Sequence, residues 1–354
     1  MQGHDIIVIG ASAGGVEALS LLVSYLSPDL DAAVFVVLHV PAHSVSVLPR
    51  ILSRRGGLPA THPRHGEPIQ TGHIYIAPPD FHLLMRDGLI QLARGPRENG
   101  HRPAIDPTFR CAALAYGSRV VGVILSGALS DGAAGLEAVK MRGGVAIAQD
   151  PDEALYSGMP RSAIEQVSVD HILSLADIAK ELTRLTHEPA LPVETFSTPT
   201  ENDMEHKLAA MPNEALPEEK HPGHPSMYGC PDCGGVLWEI PEGDAMRFRC
   251  RVGHAWAADG LLSEQVDSME EALWTALRAL EESASLCKRL EARAEERGHE
   301  RSAAQFGEQS KDALQHAAVL RNILQKGYRV GEEVAAPPAS PEEEITLSVA
   351  EPIV

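Results

Sequence analysis

The chain has 354 residues, 44% of them apolar, which leaves room for two or three domains of roughly 100–200 residues with a buried core. Its 49 Asp and Glu against 30 Lys and Arg give a net charge of −19, a sign that repels nucleic-acid phosphates and anionic lipid. No apolar run approaches the roughly 20 residues of a spanning helix, the first apolar run, residues 6–9, is far too short for a signal peptide and follows no cationic n-region, and five cysteines form no disulfide framework. The expectation is a cytoplasmic protein without nucleic-acid partners or membrane insertion.

Residues 1–187 alternate strand and helix patterns. Residues 5–9 form a short apolar strand, Gly10-Ala11-Ser12-Ala13-Gly14-Gly15 a loop, and residues 16–26 a helix. Residues 33–38 and 74–77 repeat the strand pattern, and residues 83–86 and 89–93 flank Asp87-Gly88, the dipeptide of a tight hairpin. Residues 120–125 read as a buried strand, followed by a glycine-bearing loop and a helix over 132–141; residues 145–148 and 171–173 complete the strands. This pattern predicts an α/β fold with a doubly wound, mostly parallel sheet in three layers.

Composition changes near residue 188. Residues 188–226 read as a Pro- and acid-rich linker, 227–258 as a small zinc-ribbon-like module, 259–328 as a helical hairpin or coiled coil, and 329–354 as a disordered tail. In the helical part Val266, Leu273, Leu280, Cys287 and Ala294 recur every seven residues, as do Phe306, Ala313 and Leu320, with Ala317 and Leu324 alongside.

Three polar residues each follow a predicted strand: Ser12 in the glycine-rich turn, His39 in Val36-Val37-Leu38-His39-Val40-Pro41, and Asp131 in Leu125-Ser126-Gly127-Ala128-Leu129-Ser130-Asp131-Gly132. In open α/β sheets ligands bind beyond the carboxyl ends of the strands, so the three can converge on one crevice. A serine hydroxyl needs an imidazole to take its proton, and the imidazole needs a carboxylate to fix its tautomer. Each residue has another reading on its own. The Gly loop can cradle a phosphate, though it is not G-x-G-x-x-G; a lone His is usually structural; a lone Asp before a helix is usually an N-cap.

The strings GASAGG, VVLHVP, HIYIAPPDFHLL, VVGVILSGALSDGAAGLEAVKMRGGVAIAQD and SGMPRSAIE, in that order, resemble the catalytic domain of the chemotaxis protein-glutamate methylesterases over nearly all of residues 5–185. The resemblance implies Ser12 as nucleophile, His39 as general base, Asp131 as orienting carboxylate, and an oxyanion and substrate loop at Ala13 and Ala128. It implies hydrolysis of γ-glutamyl methyl esters on receptor helices, with glutamine deamidation as a related activity and no cofactor for catalysis. This chain has Ala128-Leu129 where the family usually has Met-Gly, and Ala13 where it has Thr. Typical members carry an N-terminal receiver that blocks the site. With the catalytic strings starting within ten residues of Met1, the expectation here is activity that is constitutive or governed by the C-terminal half.

Cys230-Pro231-Asp232-Cys233 and Cys250-Arg251-Val252-Gly253-His254 are two short chelating turns, the spacing of a structural tetrahedral zinc site with ligands Cys230, Cys233, Cys250 and His254. A similar segment accompanies some receiver-less relatives of the family. Arg247, Arg249 and Arg251 are expected on a solvated strand face, and Cys111 and Cys287 as buried thiols. The expected partner is a methylated chemoreceptor or another helical signalling protein, with the C-terminal helices available for a homodimer. The competing readings are a non-catalytic signalling adaptor built on the same fold, and a zinc-ribbon nucleic-acid binder, which the charge disfavours.

Overall fold

A computed structural model describes residues 3–190, 223–242 and 245–326. Residues 191–222 of the expected linker and the whole expected tail lie outside the described residues.

The strand β1 (Ile6–Ala11) contains no charged side chain and is buried at every position, as a strand covered on both faces must be. It sits in the middle of a seven-stranded parallel sheet of order β3-β4-β2-β1-β7-β8-β9. The other members are β2 (Ala33–Leu38), β3 (Ala60–Thr61), β4 (His73–Ile76), β7 (Val120–Ile124), β8 (Val145–Gln149) and β9 (His171–Leu173). Alternate residues face opposite layers. Ile7, Ile9, Val34, Val36, Val121 and Val123 pack under α1 (Gly15–Tyr25), α2 (Leu48–Arg55) and α6 (Leu175–Thr186). On the other side Val8, Phe35, Val37 and Ile124 meet α3 (Ile105–Tyr116), α4 (Ala133–Met141), α5 (Gly158–Gln166) and the hairpin β5 (His82–Arg86)–β6 (Leu89–Ala93). The fold is the expected α/β class. Asp87 and Gly88 both take positive φ, 52° and 75°, the backbone a two-residue hairpin turn requires.

Helices α2, α3, α5 and α6 are additional to the two expected from the sequence of residues 1–187, and the first three of them carry a proline near the start: Pro49, Pro107 and Pro160. All three lie in the first turn, where the missing N–H has no intrahelical partner to lose.

After the unassigned stretch, β10 (His224–Gly229), β11 (Val236–Glu242), β12 (Ala245–Cys250) and β13 (Ala255–Ala257) form a four-stranded antiparallel sheet. Next come α7 (Ala258–Glu296) and α8 (Glu300–Lys326), turning at Gly298 with φ 72°. From Val266 onward the chain is a unit of its own. Ser310 Oγ donates to the Ala284 carbonyl and Arg321 pairs with Glu281, so the two helices run antiparallel. The seam is Leu277, Ala284, Ala294, Ala303, Ser310, Ala313 and Ala317. The expected stripe at Leu273, Leu280 and Cys287 flanks it half-buried, since small residues let the helices close to a distance that Leu rows do not. Cys287 is therefore half-exposed, a correction to the buried thiol expected there; Cys111 is fully buried.

Candidate active site and Cys3His cluster

Three connections of the parallel sheet deliver the candidate residues to one place. Ser12 follows β1, His39 follows β2, and Asp131 lies beyond β7. Because β2 and β7 flank β1 on opposite sides, the crevice opens where the order of strands reverses, the place such sheets bind ligands. The turn after β1 is tight. Gly14 takes φ 69°, Gly15 N–H bonds back to the Ser12 carbonyl, and Ser12 N–H reaches the Ser126 carbonyl.

The structure brings all three together. The Ser12 hydroxyl lies 3.1 Å from His39 Nδ1, and His39 Nε2 lies 2.7 Å from Asp131 Oδ2. With Nε2–H held by the carboxylate, the Nδ1 lone pair faces the serine. Asp131 Oδ2 also accepts from the Ile105 amide at 2.7 Å, and Oδ1 accepts from Asn99 Nδ2 at 3.0 Å. Burial pushes this carboxyl up, but the His39 hydrogen bond and charge, with the Ile105 amide, outweigh it and hold Asp131 well below the usual carboxylate range. It stays ionised at neutral pH.

Ala13 follows the serine in the chain, and Ala128 follows Gly127 in the loop after β7. The Ala13 carbonyl accepts from Ser126 Oγ at 2.8 Å. Gly127, the residue before Ala128, lies so close that a Cβ there would stand 3.0 Å from the Ser12 Cβ. Leu129, in the place where the resemblance calls for glycine, has φ 61°.

Four residues of the site escaped the sequence reading. His101 stacks on His39 with ring centroids 3.8 Å apart. Burial, then the charge of His39, depress its imidazole to about 4, so it is neutral at neutral pH. Asp106 is buried beside Asp131; burial and that neighbour's charge raise its carboxyl well above the usual range. One of its oxygens also takes the Gly132 and Gly135 amides. Asn99 holds Asp131 as above, and Glu98 is fully buried, 2.6 Å from Arg110. All four lie between β6 and the first turn of α3, where no periodicity marks them. The available signal was composition: four polar side chains in Glu98-Asn99-Gly100-His101-Arg102 and, after three residues, Asp106.

The second site is in the antiparallel sheet. Cys230, Cys233, Cys250 and His254 offer ligand atoms within 4.8 Å of one another. Cys233 and Cys250 sulfurs are 3.7 Å apart, and His254 Nδ1 is 3.5 Å from Cys250 Sγ and 3.7 Å from Cys230 Sγ. Bonds of about 2.3 Å to sulfur and about 2.0 Å to nitrogen from a tetrahedral centre put ligands about 3.5–3.8 Å apart, so the set fits zinc. Both turns are shaped as chelating knuckles, with Gly234 N–H bonded to the Cys230 carbonyl and Gly253 N–H to the Cys250 carbonyl. A hydrogen bond to the Cys250 side chain, then burial, push the Cys230 thiol up to about 12.

Arg247 and Arg249 overturn one expectation. They are buried, at 4% and 1% exposure, rather than on a solvated strand face. Arg249 reaches Glu98 at 3.2 Å and Arg247 lies 3.9 Å from it. Only Arg251 is exposed. The net charge of the chain says nothing about one buried acid that gathers these cations.

Fold and site together define an α/β enzyme working at the carboxyl edge of a parallel sheet. A family model described as CheB methylesterase matches residues 7–182. A Leptospira interrogans protein described as "Putative protein-glutamate methylesterase/protein-glutamine glutaminase" is 41% identical over 185 residues, 52% of this chain and 96% of the relative. Protein-glutamate methylesterase/protein-glutamine glutaminase 2 of Anaeromyxobacter dehalogenans is 37% identical over 182 residues, 51% of this chain and 53% of that one. The crystal structure of the Thermotoga maritima CheB methylesterase catalytic domain superposes with a TM-score of 0.50 at 35% identity, covering 52% of this chain and all of that domain. The chain belongs to the CheB methylesterase family and is a carboxylic ester hydrolase. The matched region ends before the Cys3His sheet. Among the described residues no helix is long and apolar enough to cross a membrane.

Proposed function

We propose that the chain hydrolyses γ-glutamyl methyl esters on helical signalling proteins of the chemoreceptor kind, through an acyl-enzyme on Ser12. The observation that carries this reading is the continuous relay from Ser12 Oγ through His39 to Asp131. Ser12 Oγ attacks the ester carbonyl while His39 Nδ1 takes its proton. The tetrahedral oxyanion is met by the backbone amides of Ala13 and Ala128, the term that usually contributes most to such reactions. As the C–O bond breaks, the imidazolium returns the proton to the leaving methoxide, releasing methanol. A water, deprotonated by His39, then attacks the acyl-enzyme, and glutamate and free Ser12 result. Asp131 keeps its negative charge throughout and steadies the imidazolium. A glutamine side chain enters the same sequence with ammonia as leaving group.

The Cys3His cluster is proposed to hold a structural zinc. Four protein ligands leave no open position for substrate, so the metal supplies folding energy and no chemical step.

The test is methanol release from methylated receptor helices by wild type and Ser12→Ala. Release that falls by a factor of about 10⁴ or more in the variant supports the reading. Equal release from both, or none from wild type, overturns it, and the latter result favours the adaptor.

A further inference from the structure

The second chelating turn of the Cys3His cluster is built directly against the segment that carries the triad's supporting residues. The Ala255 amide, next in the chain after ligand His254, bonds to the Arg97 carbonyl. Asn99 N–H donates to the Ala255 carbonyl at 2.8 Å, and Asn99 Oδ1 accepts from the Ala257 amide at 2.7 Å. Arg249, beside ligand Cys250, spans Glu98 and the Gly253 carbonyl. Gly253, at φ 106°, lies so close to Pro96 that a Cβ would meet that ring at 2.7 Å. The other atom of the Asn99 carboxamide, Nδ2, donates to Asp131 Oδ1 at 3.0 Å. His254 and Asp131 are thus joined through one strand residue and one side chain. Asn99 itself stands at φ 51°, a left-handed conformation that Asn tolerates and most side chains do not.

We infer that zinc at Cys230, Cys233, Cys250 and His254 sets the reactivity of Ser12, with Asn99 as the positioning residue that carries the coupling. Metal closes the turn between Cys250 and His254. The closed turn fixes the strand amide and carbonyl that grip Asn99. Asn99 in turn fixes the carboxylate oxygen that His39 does not use, and so the plane in which Asp131 meets the imidazole. Without metal the turn loosens, Asp131 loses one of its fixed partners, and the tautomer and aim of His39 are less strictly held. The inference rests on the hydrolase reading for its effect on rate. The metal thereby controls this catalytic site from a module outside the family match.

The experiment uses the full chain, zinc-loaded and stripped by a chelator under reductant, in wild type and Asn99→Gly. Glycine accepts the positive φ and keeps the backbone bond to Ala255 while deleting the side-chain link. Three quantities are read: zinc per chain, the rate at which a fluorophosphonate labels Ser12, and the downfield proton resonance of His39 Nε2–H. We expect one zinc per chain. Stripping should slow labelling of wild type about tenfold, the worth of one hydrogen bond to an ionised group, and broaden or shift the resonance. Asn99→Gly should be slowed about as much with its zinc in place, and stripping it should slow it little further, because the two changes cut one path. Equal slowing by stripping in both backgrounds, an unchanged rate and resonance in stripped wild type, or no bound zinc overturns the inference. If the stripped chain loses its helical circular dichroism, zinc-loaded Asn99→Gly decides alone, and labelling within twofold of wild type overturns it. Failure of loaded wild type to label at all is failure of the hydrolase reading, and the His39 resonance still decides the coupling.

Discussion

The parallel-sheet region and the Cys3His sheet are held together by different physics. In the first, two apolar clusters cover both faces of seven strands, and each fully buried Leu or Ile contributes about 1.5–3 kcal/mol. In the second, the core is Cys230, Leu237, Phe248, Cys250, Trp256 and Leu261. Two of those six are proposed metal ligands. A core that small does not offset the ordering entropy of its own strands. It stands on a proposed metal centre and on Arg247 and Arg249, which seat on Glu98 of the larger region. The same 97–101 segment that anchors the small sheet also lines the catalytic site, so the weaker region is attached where the chemistry is.

Removing metal is the largest perturbation this contrast allows. Structural zinc contributes on the order of 10 kcal/mol to the folding of small modules. A chelated chain is expected to show a new low-temperature transition by calorimetry, while the parallel-sheet transition stays within a few degrees of its loaded position. One transition at an unchanged temperature would mean that the small sheet holds itself by burial after all. Glu98→Ala comes next. It leaves buried guanidinium groups without the carboxylate they surround, and the expected loss is about 3–5 kcal/mol in denaturant titration. A loss under 1 kcal/mol would place the attachment elsewhere.

The same contrast explains what the sequence disclosed. Parallel strands buried on both faces read as unbroken apolar runs, so β1, β2 and β7 were legible, and Ser12, His39 and Asp131 stood out as polar residues at their carboxyl ends. Spacing alone left each with a structural alternative; only the order of strands in the sheet makes them neighbours. Glu98, Asn99, His101 and Asp106 belong to an irregular segment whose shape is set by tertiary partners, and those partners include residues more than 150 positions away. No local pattern encodes such a meeting. Arg247 and Arg249 of β12 are buried for a related reason, since a strand's polar face is solvated only if nothing acidic is folded against it.

His101 offers a middle-sized test, within the site. Its imidazole takes a proton near 4 in the folded chain but near its ordinary 6.5 when unfolded. Between those values the unfolded chain binds more protons, so stability is full above pH 6.5 and falls as the pH drops toward 4. The loss approaches about 3 kcal/mol. In His101→Phe the ring over His39 is kept and nothing titrates. The variant's stability is therefore expected to lack this slope between pH 6.5 and 4, as read by urea titration at several pH values. Identical slopes in the two proteins would show that His101 is already protonated in the folded site.

The smallest effect concerns Leu129, which is 42% exposed and whose φ is 61°. A left-handed backbone at a residue with a Cβ costs about 1 kcal/mol, and little of that is offset by burial here. Leu129→Gly is expected to raise the unfolding free energy by somewhat less than about 1 kcal/mol, because glycine also gains freedom in the unfolded chain. The comparison that matters is with Ser12 labelling in the same variant. Leu129 follows Ala128, whose amide is proposed to meet the oxyanion, so its strained backbone helps set where that amide points. A variant that is more stable and labels more slowly would show strain kept for aim, the trade that active-site loops make. A variant that is more stable and labels at the same rate would show that the loop's direction is fixed by Gly127 and Met159, whose close contact beneath Ser12 leaves no room to turn.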